Sequence, residues 1–132
     1  MKVVALDYGS ARTGVAVSDP TGTIARPLGV VERAASEAGL ARLAELVREH
    51  GAERIVVGLP LTLRGERGAQ AQETEAFVDA LRGAVEVPVE SYDERFTTGL
   101  AASVGSDDAP EDARAAAHLL SSYLAWSSAE RE

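Results

Sequence analysis

The run "VVALDYGSARTGVAVSD", residues 3–19, restricts the fold more than any other part of the chain. Residues 2–8 and 14–18 read as two buried strands, and the "YGSART" between them is too short for a crossover. They therefore form an antiparallel hairpin. The first strand delivers Asp7 to the place where a core strand ends, and the second ends on Asp19. "DPTG" (19–22) has Asp first, Pro second and Gly fourth, a type I turn pattern, so a third strand over 23–31 completes a meander.

The rest alternates helix and strand. In "SEAGLARLAELVREHG" Leu40, Leu43, Ala44, Leu46 and Val47 share one face, and Gly51 stands at the C-terminal cap. "RIVVGL" (54–59) is a fully apolar strand of the kind buried on both faces of a parallel sheet. The loop "PLTLRGERG" leads to a helix over 69–82, with Ala71, Thr74, Phe77, Val78 and Leu81 inward. A strand over 87–92, a short helix near 98–104, the acidic loop "GSDDAP" and a helix over 111–127 follow. In that last helix Ala116, Leu119, Leu120 and Tyr123 face inward. Right-handed crossovers put the fourth strand beside the first and the fifth beyond it. The expected architecture is α/β: a five-stranded mixed sheet of order 3-2-1-4-5 with helices on both faces. One domain accounts for residues 1–127, with a frayed tail over 128–132.

Composition removes several functional classes. There is no cysteine, which excludes disulfides, zinc fingers and thiol catalysis. No apolar stretch approaches the ~20 residues that cross a membrane, and "MKVVALDYG" is not a secretory signal. A cytoplasmic protein with no membrane partner is expected. The net charge of −8 points away from a bulk nucleic-acid coat protein, but leaves room for an enzyme that meets nucleic acid through a local patch.

The predicted topology brings acids together. Asp7 lies at the C-terminal end of the central strand. Asp93 and Glu94, in "SYDER", stand near the same sheet edge, and Asp112 is in the first turn of the last helix. Converging carboxylates repel unless something positive sits among them. Oxygen ligands without Cys or clustered His suit Mg²⁺ or Mn²⁺, and two such ions ~3.5–4 Å apart can drive phosphodiester hydrolysis. Each residue also has a simpler role. Asp7 and Asp19 suit turns, Asp112 suits a helix N-terminus, Asp93 or Glu94 could pair with Arg95, and His50 suits a helix C-terminus. His118, in mid-helix, reads as structural.

Four segments, "ALDYGSARTGVAVSD", "IVVGLPLTLRG", "VPVESYDERFTT" and "DARAAAHLL", resemble the successive signatures of the YqgF/RuvX family, over about residues 2 to 125. The resemblance implies an RNase H-like fold related to RuvC resolvases. It also implies a metal-dependent nuclease active in 5′-end maturation of pre-16S rRNA or in Holliday junction and DNA processing. Matched by motif, Asp7, Glu94 and Asp112 are the catalytic, metal-holding acids, with Asp93 as an additional contributor. The implied cofactor is Mg²⁺ or Mn²⁺, as two ions. Arg12 and Arg95 match phosphate-contacting arginines, and Thr97 and Thr98 match a threonine pair near the substrate. Gly9 and Gly58 would let main chain approach the site, while Arg64 and Arg67 on the loop could grip substrate. The implied partner is an RNA precursor or branched or single-stranded DNA, met by a monomer or weak dimer. Two positions depart from the family pattern: Ala11 stands where a lysine is common, and the segment before the last helix carries Asp107 and Asp108 where basic residues are usual.

Two other readings stay open on the same residues. One is a non-catalytic adaptor with a nuclease fold. The other is a single-domain nucleotide-binding relative of the actin, heat-shock chaperone and sugar-kinase superfamily, whose phosphate-binding hairpin also has an Asp-x-Gly turn.

Overall fold

The computed structural model describes residues 1–60, 68–93 and 109–131, with side chains to 127. The elements run β1 (Val3–Asp7), β2 (Arg12–Ser18), β3 (Ala25–Glu32), α1 (Glu37–His50), β4 (Arg54–Leu59), α2 (Ala69–Arg82), β5 (Val89–Asp93) and α3 (Glu111–Arg131). The sheet order is β3-β2-β1-β4-β5, as expected from the sequence. β2 is antiparallel to β1 and β3, whereas β4 is parallel to β1 and β5. The short helix expected near 98–104 lies outside the described residues.

Boundaries shift for identifiable reasons. β3 begins at Ala25 rather than at 23 because the Thr23 and Ile24 amides both donate to the Asp19 carboxylate, at 2.8 and 2.9 Å. Those donors are thereby taken from the sheet ladder. β5 begins at Val89 rather than 87. Pro88 offers its carbonyl to the Ile55 amide at 2.9 Å but has no N–H to give. β2 begins at Arg12, earlier than 14, because the Thr13 hydroxyl bonds to Gly9 and closes the hairpin early. α3 extends to Arg131, past the expected end at 127.

Strand alternation splits the core in two. Val4, Leu6, Val15, Val17, Ile55 and Val57 pack with Leu43, Val47, Phe77 and Leu81 of α1 and α2. Val3, Ala5, Ala16, Val56 and Tyr92 pack under α3 against Ala116, Ala117, Leu120 and Tyr123. The small Ala5 and Ala16 let α3 lie close to the centre of the sheet. Gly51 is the cap that the sequence implies, and Ser36 caps the other end of α1. The Ser36 hydroxyl accepts from the Gly39 amide at 3.0 Å, and Gly51 adopts φ 63° at the end of α1. Among the described residues no helix is long and apolar enough to cross a membrane.

Candidate active site

The site follows from strand register. Asp7 is the Cα partner of Gly14 across the β1–β2 ladder. Directly opposed residues of antiparallel strands project to the same face, with Cα atoms ~4.5–5.5 Å apart. Val3 and Ala5 pack under α3, so the two-residue period carries Asp7 to that face as well. Arg12, two positions before Gly14, shares it.

Gly14 decides how close α3 comes. A Cβ at this position would stand 1.8 Å from the Asp112 carbonyl oxygen, 2.3 Å from its carbon and 3.0 Å from the Ala113 nitrogen. The first turn of α3 thus rests its backbone on the bare surface of β2, immediately beside Asp7. The Asp112 carboxylate arrives with it, and its Oδ2 lies 3.2 Å from Arg12 Nε. Asp7 and Arg12 of the first hairpin and Asp112, roughly a hundred residues later, lie on one face at the C-terminal end of the central strand.

Gly14 was not among the residues singled out from the sequence. A glycine inside an apolar strand signals a close backbone approach, and that signal was present in "RTGVAVS".

The other expected residues are placed as follows. Gly9 does permit a close approach, but to the hairpin itself: its Cβ would lie 2.5 Å from the Arg12 carbonyl oxygen. Its amide and carbonyl also bond to the Thr13 hydroxyl, at 3.4 and 3.3 Å. Gly58 is buried in β4 opposite Tyr92. Asp93 closes β5, paired with Leu59. Since Tyr92 points to α3, alternation sends the Asp93 side chain toward the opposite face, away from Asp112. Glu94, Arg95, Thr97, Thr98, Arg64 and Arg67 lie outside the described residues, as do Asp107 and Asp108. Among the described residues no group of three or more acids, histidines or cysteines is gathered for a metal ion.

Tyr8 anchors the end of β1 from the other side of the sheet. Its ring stacks on Phe77 of α2 with centroids 4.4 Å apart, and its hydroxyl donates to Glu73 Oε1 at 3.4 Å. Burial, with the Glu73 charge second, raises the phenol pKa above its ordinary value. Asp19 has the simpler of its two roles. It sits at the far end of β2 from this site, and its carboxylate caps the turn through the Ile24 and Thr23 amides and the Thr21 hydroxyl. Those bonds, Ile24's foremost, hold its pKa well below the usual carboxylate range.

Comparison with known proteins places this geometry. Residues 1–126 match the family described as RuvX: Holliday junction resolvase. A protein of Chloroflexus aurantiacus named "Putative pre-16S rRNA nuclease" is 48% identical over 96 residues, which cover 73% of this chain and 63% of that protein. The match thus spans less than two thirds of that relative's length. A Desulforamulus reducens protein of the same name is 35% identical, with 94% of this chain and 96% of that protein covered. In structure, Thermus thermophilus RuvC in complex with a Holliday junction substrate superposes with a TM-score of 0.70 at 19% identity, over 97% of this chain and 95% of that one. A second Thermus thermophilus RuvC structure gives 0.65 at 20% identity, with 98% and 97% covered. At those identities the likeness establishes the RNase H-like fold. On the sequence match over nearly its whole length, the chain belongs to the RuvX family.

Proposed function

We propose that this chain is a metal-dependent nuclease that hydrolyses phosphodiester bonds of nucleic acid, acting in 5′-end maturation of pre-16S rRNA. The observation that carries the reading is the seat of α3 on Gly14, which puts the first turn of α3, with Asp112, on the face of the sheet that Asp7 shares at the end of the central strand. The names of the relatives support the RNA substrate, and the family's description supports junction DNA as the competing one.

The residues suit a hard divalent cation. Asp7 and Asp112 offer only oxygen. Arg12 already holds a positive charge against Asp112, so the space accepts one. Glu94 is proposed as the third ligand. Bound there, Mg²⁺ or Mn²⁺ would supply Lewis acidity for attack of water on phosphorus. The chain's own part is to hold the two carboxylates at a fixed separation on rigid elements and to orient the phosphate by arginine. Arg12 and Arg95 are proposed for that contact. Thr97, Thr98, Arg64 and Arg67 are proposed for the adjoining strand of substrate.

A binding role without cleavage is the second reading, favoured by the net charge of −8. One assay separates them. Labelled single-stranded RNA, single-stranded DNA and a four-way junction are incubated with Mg²⁺, Mn²⁺ or EDTA, with Asp7→Asn in parallel. The nuclease reading expects metal-dependent cutting, RNA preferred, that Asp7→Asn abolishes while remaining folded. Preferred cutting of the junction replaces the RNA assignment. No cutting of any substrate by folded protein leaves the binding role.

A further inference from the structure

Arg12 stands in two places at once if it both grips substrate and pairs with Asp112. Its Nε lies 3.2 Å from Asp112 Oδ2, and a guanidinium on that oxygen competes with a cation for the same negative charge. Resting on the nuclease reading above, we infer that Arg12 is the resident counter-ion of Asp112 in the metal-free protein. A divalent cation competes with it for Asp112, and losing that contest frees the guanidinium for the substrate phosphate.

Three features support an exchange over a fixed ion pair. The first is charge. Asp7 and Asp112 are brought onto one face by the seat of α3 on Gly14, and two neighbouring carboxylates need positive charge between or beside them. Along residues 8–14 Arg12 is the one cationic residue, since Ala11 and Ser10 fill the neighbouring positions. The second is strength. The two side chains are 66% and 36% exposed, so solvent weakens the pair. Pairs this exposed shift an equilibrium by a factor of roughly two to five, which a dication readily exceeds.

The third is the division between a fixed stem and a free head. The Arg12 backbone is pinned on both sides: its carbonyl faces Gly9, and its Cα is paired with Glu32 of β3. The long side chain beyond it is mostly in solvent and can change partners without disturbing the hairpin. Arg12 is therefore a positioning residue for Asp112 until metal arrives and a substrate contact afterwards. Metal and phosphate binding become coupled through it, since whatever removes Arg12 from Asp112 frees the guanidinium for the phosphate.

The test titrates Mn²⁺ calorimetrically into full-length, metal-free protein without nucleic acid. Arg12→Gln should bind Mn²⁺ roughly two- to five-fold more tightly than wild type at low salt. The difference should shrink as salt screens the pair. The same variant should bind a single-stranded RNA oligonucleotide more weakly, the opposite direction, which a merely structural role would not produce. In an Asp112→Asn background, Arg12→Gln should leave Mn²⁺ affinity unchanged. Thermal melting of each metal-free variant checks that folded proteins are being compared; if Arg12→Gln melts early, Arg12→Met carries the same expectation. Equal or weaker Mn²⁺ binding by the Arg12 variant overturns the exchange and leaves the nuclease reading standing. Absence of Mn²⁺ binding by wild type overturns both.

Discussion

Replacing Gly14 by alanine tests the geometry on which the site depends. The added Cβ meets the Asp112 carbonyl oxygen at 1.8 Å, where ordinary contact begins near 3.4 Å. The obstacle is helix backbone, so no side-chain rotation relieves it. The start of α3 must retreat by about 1.6 Å, or β2 must sink by as much. Forced overpacking of this kind costs about 1–3 kcal/mol. At roughly 3–5 °C per kcal/mol for a domain of this size, the melting temperature should fall by roughly 3–15 °C. The effect on catalysis should be larger, because Gly14 is the register partner of Asp7 and the retreat takes Asp112 away from it. A misplacement of order 1 Å costs ~10²-fold in rate. Circular dichroism melts and single-turnover cleavage, the latter well below the lower melting temperature, measure the two effects separately. Gly29→Ala is the control: its Cβ would meet nothing within 4 Å, so the variant should melt and cut like wild type. Wild-type stability and wild-type cleavage by Gly14→Ala would refute the claim that α3 is seated on this glycine.

Two further changes probe regions away from the acids. Asp19→Ala removes a carboxylate that the hydrogen bonds of its turn hold ionised, so its contribution should depend on pH. The folded-state pKa lies below the ordinary 3.8, so the stabilisation is complete above that value and is lost as pH falls toward the depressed one. Urea unfolding should show a larger stability gap between wild type and Asp19→Ala at pH 7 than at pH 3, and an equal gap would dismiss the turn-capping role. Tyr123→Phe removes a hydroxyl that accepts from Arg54 Nη1 at 2.9 Å and donates to Glu90 Oε1. It should lower stability by about 1–2 kcal/mol in urea unfolding while leaving cleavage intact; loss of cleavage would show that the base of α3 communicates with the site.

Much of the architecture was legible because it depends on local pattern. The apolar runs at 2–8 and 14–18, the helical faces of α1 and α2, and the turn at Asp19 each show in a few consecutive residues. Strand order followed from the handedness of crossovers, which leaves little choice once three strands are antiparallel and two are joined through helices. The acids at the ends of β1 and β5 and the start of α3 were likewise visible as residue types in suggestive places.

What the sequence could not decide is which side chains share a face and how closely α3 approaches them. Asp93 and Tyr92 are neighbours in the chain, yet alternation sends them to opposite faces of the sheet. Arg12 looked like a substrate contact, but only the packed helix reveals the carboxylate it already holds. Gly14 carried no chemistry to attract notice, and its importance lies in an atom it lacks. Local propensity sets each element by itself; the contact between β2 and α3 joins residues about a hundred positions apart. It exists only after the core on that face of the sheet has packed.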